Sequence, residues 1–306
     1  MQTGYNILKT LGYFDLFHYP LTIEELRAFH PEQFDEAEFE QALQVLLERK
    51  KIYVIESFYS LRNDTALAHR RIKGNRLAAD QLQRAQKIAR FLAMFPFVKS
   101  VAVSGSLSKN FATEDTDIDF FIITEKDKLW IARTCMHLYK KLTFITGRQH
   151  WFCMNYYIDE ASLVIPEQNF FTAMEIITLK PMQGQAIFNE FLSANNWTRQ
   201  YFPSHSGNYI TYKERDQKPW WSRALQKSCS GRLGHWIDCR LMRITAGRWQ
   251  KKTERGATSY NGTRMGMIAG RHFSKPDPRN FQASVMERYN ERVLQLADTP
   301  YIQFVY

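Results

Sequence analysis

Two aspartates interrupt an apolar run, and they constrain this 306-residue chain more than any other feature. The run is DIDFFIIT, with Asp117 and Asp119 two positions apart. Its composition predicts a strand, and in a strand those two side chains share one face while Ile118 and Phe120 point into a core. Two carboxylates about 6–7 Å apart at their Cα atoms repel one another unless something positive lies between them. A divalent cation removes that cost, and Mg²⁺ (or Mn²⁺) is held by one or two carboxylates plus phosphate oxygens.

The stretch just before supplies the other half of a site. VKSVAVSG predicts a short buried strand ending at Gly105, with a helical turn from Ser106 to about Phe111. Glycine lets the backbone approach a phosphate closely, and the first N–H groups of a helix favour an anion. The Ser106 hydroxyl can donate to a phosphate oxygen, and Lys109 can reach the same group. Gly105, Ser106 and Lys109 are therefore candidate nucleotide-binding residues, with Asp117 and Asp119 as candidate metal ligands and catalytic residues. The competing reading is a surface turn before a partly exposed strand. Two aspartates in an otherwise apolar strand break local consistency, as functional sites do.

This segment resembles the nucleotidyltransferase superfamily of DNA polymerase β type. The resemblance rests on VAVSGS, a spacer from Leu107 to Thr116 and DIDFFI, and covers about residues 85–160. It implies an α+β fold, a mixed β-sheet with flanking helices. It also implies metal-assisted transfer of a nucleoside monophosphate from a nucleoside triphosphate such as ATP, with release of pyrophosphate. The acceptor stays open: a nucleotide, a nucleic-acid end, a protein or a small molecule. Active members carry a third carboxylate on a later strand. Here a helix near 127–147, capped by Gly147, precedes the strand WFCMNYYI, whose one candidate is Asn155. An amide orients water or ligates weakly but cannot act as a general base. Asp159 has the parity of Asn155 but sits about 13 Å further on. The alternative function is a catalytically impaired nucleotide-binding or regulatory subunit. Glu175 reads as a helix-surface or packing residue.

Charge divides the rest of the chain. Residues 1–62 carry 6 Lys/Arg against 10 Asp/Glu, a net of −4, and residues 213–279 carry 16 against 5, a net of +11. The acidic end predicts helices over 5–17, from Thr22 to about Phe29 and near 35–50, then a hairpin turning at Glu56–Ser57. Thr22 and Glu25 form a capping box. Three helices and a hairpin resemble a winged-helix module. Its third helix bears Asp35, Glu36, Glu38 and Glu40, which would repel a DNA backbone. That argues against a transcription regulator and for packing or a protein partner.

The chain thus divides into a winged-helix-like module at 1–62, a linking helix at 63–96, a nucleotidyltransferase core at 97–160 and a helical, basic region at 161–306. On the linking helix Arg70, Arg71 and Lys73 are either a solvated face or the lining of a phosphate channel. Residues 161–204 predict helices near 168–179 and 183–194, separated by Lys180–Pro181. In the basic tail, from about Lys213, tryptophans interleave with arginines over a helical 219–253. That pattern fits nucleic-acid or oligonucleotide contact, or an amphipathic helix with solvated cations. Residues 254–280 read as a loop in which Lys275 and Arg271 could serve the site, and a last helix spans about 280–297. Cys135, Cys153, Cys229 and Cys239 form no C-x-x-C pair, so a reducing, cytoplasmic setting is expected. No apolar run approaches the ~18 residues of a membrane span, and no secretion signal is read.

Overall fold

Apolar residues at helical spacing fold the N-terminal segment first. In the computed structural model, which describes residues 2–143, 153–205, 207, 214, 217–254, 267–276 and 280–297, helix α1 spans Gln2–Asp15. It buries Ile7, Leu8, Leu11 and Phe14. Helix α2 (Ile23–Ala28) starts with both bonds of the capping box between Thr22 and Glu25. Helix α3 (Glu36–Glu48) is capped by Asp35, whose carboxylate accepts from the Glu38 N–H. Strands β1 (Tyr53–Ile55) and β2 (Phe58–Ser60) form an antiparallel hairpin, and Leu21 bridges to Tyr59 beside it. Glu36 and Glu40 on α3 pair with Arg27.

Helix α4 (Thr65–Leu92), capped by Asp64, leads from this module to the sheet. Strand β3 (Val98–Val103) is followed by a short helix α5 (Gly105–Ser108). Strand β4 (Asp119–Thr124) pairs antiparallel with β3, so Val103 faces Phe120. The strand begins at Asp119, and Asp117 lies in the segment leading into it. Helix α6 (Leu129–Thr143) precedes β5 (Cys153–Asp159), which runs parallel to β4. Gly147, together with Trp151 and Phe152 of the expected strand, lies outside the described residues.

Two helices, α7 (Phe170–Thr178) and α8 (Gln185–Ala194), occupy the stretches where helices were expected. The residues between them do more than separate them. Lys180–Gln183 forms strand β6, paired with β3 at the sheet edge. Pro181 is compatible with that position because an edge strand need not donate on its outer side. Gly184 then turns the chain into α8 with φ +75°, and a Cβ there would stand 1.9 Å from the Lys99 carbonyl oxygen, so only glycine fits.

The basic region is also subdivided. Helix α9 (Trp220–Ser228) and helix α10 (Gly231–Glu254) make up the stretch expected to be helical over 219–253. The break falls at Cys229–Ser230, and Gly231, which takes φ +68°, starts the second helix. Strands β7 (Ile268–Ala269) and β8 (Phe273–Lys275) occur where a loop was expected, and β8 pairs with β5. Helix α11 (Phe281–Ala297) packs against α1. Lys213 and the terminal YIQFVY lie outside the described residues.

The described strands beyond the hairpin make one mixed sheet in the order β6-β3-β4-β5-β8-β7. One face, with Val101, Phe120, Ile122, Met154 and Tyr157, packs on α4 and α6 and receives Leu225, Ile237 and Leu241 of the basic helices. The other face, with Ala102, Phe121, Ile123 and Ile158, packs on α7 and α8. A third cluster joins the N-terminal helices to Phe171 and Met174 of α7 and to Val285 and Tyr289 of α11. Among the described residues no helix is long and apolar enough to cross a membrane.

Candidate active site

Where the ends of β3 and β4 meet, the backbone itself fixes the first functional contact. The Ser104 N–H donates to the Asp119 carbonyl at 2.9 Å. Gly105 follows with φ +67°, and a Cβ there would lie 2.7 Å from Asp119 Oδ2. Glycine therefore lets the turn take a left-handed conformation and lets the carboxylate lie against it. Ser106 is exposed beside it at the start of α5, where the first N–H groups have no partner within the helix.

Gly105, Ser106, Lys109, Asp117, Asp119 and Asn155 all line one cavity of about 690 Å³. The sequence-predicted residues are thus brought together, and the volume suits a small-molecule ligand. The cavity wall also includes aromatic rings of the N-terminal segment, Tyr13, Phe14, Phe17 and Tyr19, with Phe171 of α7 and Phe281 of α11. Of the expected channel cations, Arg70 lines the cavity, donates to the carbonyls of Phe17 and His18, and lies 4.5 Å from the Phe111 ring. Arg71 is instead buried against Glu25, and Lys73 pairs with Glu114 at the surface. Lys275 lines the cavity, whereas Arg271 pairs with Asp127.

Asp119 is held in an unfavourable environment for a charge. Burial pushes its carboxyl up to about 6, and the nearby carboxylates of Asp117 and Glu175 add to the shift. Hydrogen bonds from Cys153 and Asn155 oppose it. The Asn155 amide donates to Asp119 Oδ1, and the Cys153 thiol, 3.1 Å away, donates to Asn155 Oδ1. Asn155 therefore orients the Asp119 carboxylate. Carboxylates crowded in a site that resists their charge are suited to a divalent cation, which supplies the missing positive charge.

A register shift explains both Asn155 and Asp159. Phe120 pairs with Met154, but Phe121 pairs with Tyr156, so β5 has one extra residue there, and that residue is Asn155. The insertion reverses the alternation of side chains. Cys153 before it, Asn155 itself and Tyr156 after it all line the cavity. Asp159 consequently shares the side of Tyr157, on the opposite face. There it is fully buried, accepts the N–H groups of Asp127 and Ala161, and lies 2.9 Å from His272 Nδ1. The parity expected between Asn155 and Asp159 does not hold, and Asp159 does not reach the cavity.

The carboxylate that does reach it is Glu175, on α7. Its Oε1 accepts from Lys109 Nζ at 2.7 Å, and the same ammonium lies 3.3 Å from the Gly105 carbonyl. Reading Glu175 as a packing residue missed this, because Lys109 and Glu175 are 66 positions apart and no local pattern links them. The one available signal was an acid in a helix whose other residues, FFTAM and IIT, are mostly apolar. Elsewhere, Asp127, Asp159 and His272 are the one described group of three with ligand atoms close enough for a metal, all within 4.8 Å of one another. They lie away from the cavity, and Arg271 already pairs with Asp127.

Residues 85–168 match the family model of a nucleotidyltransferase domain. The match runs from the second half of α4 to the approach to α7, so it contains the Gly105–Asp119 region and stops short of Glu175. It supports the nucleotidyltransferase superfamily for this segment, and the mixed sheet with flanking helices is consistent with that fold. No curated protein matches the chain, and no solved structure does.

Proposed function

We propose, from the nucleotidyltransferase domain at residues 85–168, that the chain is a metal-dependent enzyme that moves a nucleoside monophosphate from a nucleoside triphosphate to an acceptor and releases pyrophosphate. The observation that carries this reading is the convergence of Gly105, Ser106, Lys109, Asp117, Asp119 and Glu175 on one cavity. Asp117 and Asp119 would hold Mg²⁺, for which their donor chemistry and the burial of Asp119 are suited. The ion would neutralise charge on the triphosphate and polarise it for attack.

This chain's own residues do the remaining work. The turn at Gly105 and Ser106 offers backbone and hydroxyl donors to phosphate oxygens. Lys109 leaves Glu175 for a phosphate oxygen when the nucleotide enters, an exchange of one anionic partner for another. Glu175 then accepts the proton of the acceptor as its oxygen bonds to the α-phosphorus, while the bond from that phosphorus to the β-phosphate breaks. A general base of this kind contributes about 10²–10⁴ in rate. With a carboxylate in the cavity, Asn155 no longer favours a binding-only protein. The aromatic wall suits a planar or apolar group on the base or the acceptor. We read the N-terminal helices and hairpin as a winged-helix-like module that builds part of this wall.

An α-phosphate-labelled nucleotide mixture, incubated with Mg²⁺ and a small-molecule extract, tests the reading. The wild type should move label into a new product, and Glu175→Gln should lower that rate by about a hundredfold or more while still binding nucleotide. Equal rates in the two proteins would remove Glu175 from the reaction.

A further inference from the structure

Helix α10 presents two chemically different faces. On its inner side Ile237, Leu241 and Met242 pack against the core beneath the sheet. Asp238 Oδ1 accepts the Ile131 N–H at 2.8 Å. Gly234 sits so close to the preceding turn that a Cβ would stand 1.6 Å from the Cys229 carbonyl oxygen. These contacts fix which side of the helix looks outward.

At 3.6 residues per turn, Arg232, Trp236, Arg240, Arg243, Ile244 and Lys251 fall within an arc of about 120°. All six are exposed, with Trp236 at 59% and Ile244 at 49%. The Arg240 guanidinium lies 5.7 Å from the Trp236 ring. Between Arg232 and Lys251 the helix has one carboxylate, Asp238, and it is turned inward and bonded. The stripe is about 28 Å long at 1.5 Å per residue. It is a cationic row with large apolar groups set among the cations, and the acid on that face, Glu254, stands at its C-terminal end, where it accepts from Gln250.

We propose that this face of α10 binds single-stranded nucleic acid. Guanidinium groups match phosphate oxygens bidentately, and an aromatic ring between them can stack a base. A helix that lies in a membrane surface uses one continuous apolar face with cations on the opposite side. Here the continuous apolar face is buried in the core, and the exposed Trp236 and Ile244 stand among arginines, which fits a polyphosphate strand. No described residue between Trp220 and Glu254 lines the cavity, and α10 packs on the sheet face opposite to it. The bound strand therefore anchors the protein and is not threaded past Asp117 and Asp119.

Fluorescence anisotropy of the full chain with labelled oligo(U) and oligo(dT) of about 20 nucleotides, over roughly 25–300 mM KCl, tests this. With four cations engaged, log K should fall with log[salt] at a slope of about −3. Arg232→Gln/Arg240→Gln/Arg243→Gln should reduce that slope by about 2 and weaken binding at low salt at least about tenfold. Trp236→Ala should weaken binding about fivefold or more with the slope unchanged. Nucleotide binding in the cavity and the unfolding temperature should stay as in the wild type for both variants. Absence of salt-sensitive binding, binding unaffected by the triple replacement, or binding to anionic lipid vesicles but not to oligonucleotides would overturn the proposal.

Discussion

Asp119→Asn should make the metal-free protein more stable at pH 8, although it removes a candidate metal ligand. Burial raises the Asp119 carboxyl from 3.8 to about 6, so the folded state binds its proton more tightly than the unfolded state does. Well below pH 3.8 both states are protonated there, and the residue costs nothing. As pH rises through about 6 the folded protein must hold a poorly solvated charge, and stability falls. The difference corresponds to about 1–3 kcal/mol, or several degrees in unfolding temperature. Asparagine keeps an oxygen to accept from Asn155 and carries no charge. The gain should vanish below about pH 3. Added Mg²⁺ should stabilise the wild type at pH 8 and leave the variant unchanged. A variant that is less stable than the wild type at pH 8 without metal would contradict this account of the site.

Arg71→Ala should cost far more. Arg71 is 2% exposed and joins α4 to the N-terminal module. Its guanidinium donates to Glu25 at 2.6 Å, to the Pro20 carbonyl at 3.1 Å and to Asn75 at 2.8 Å. It also lies 3.7 Å from the Tyr19 ring. Tyr19 in turn donates to the Lys109 carbonyl, so the junction supports the turn that carries the candidate nucleotide-binding residues. Removing the cation leaves the half-buried Glu25 without its ion-pair partner, with Thr22 and Tyr19 as its remaining donors, and takes a donor from the Pro20 carbonyl and from Asn75. Breaking a buried pair in this way costs about 3–5 kcal/mol. Chemical denaturation should show that loss as a lower midpoint, and Arg71→Lys should recover little of it, because one ammonium cannot span three diverging acceptors. A midpoint within experimental error of the wild type would show that the module is held by its apolar contacts alone.

Much of the fold was legible because its signals are local. Ile7, Leu8, Leu11 and Phe14 repeat at helical spacing, and Thr22 with Glu25 marks the start of α2 by a bond pattern three residues long. The Gly105–Asp119 region was readable for the same reason, since a glycine turn and an aspartate pair each imply chemistry at fixed offsets. What was lost depends on contacts far apart in sequence or on single-residue irregularities. Strand β6 contains Pro181, which looks like a breaker unless its edge position is known. Strands β7 and β8 are two and three residues long, too short for alternation to register. The extra residue at Asn155 cannot be seen in WFCMNYYI, yet it decides that Asp159 faces away. Glu175 joins the candidate site only because α7 packs beside the turn carrying Lys109.

The most direct test of the central claim is calorimetric titration of the full chain with each nucleoside triphosphate, with and without Mg²⁺. The wild type is compared with Asp117→Asn/Asp119→Asn. The account predicts metal-dependent binding of at least one nucleotide, at one site per chain, lost in the double variant while its fold is retained. Binding of equal strength in the double variant, or no binding of any triphosphate by the wild type in the presence of Mg²⁺, would contradict it.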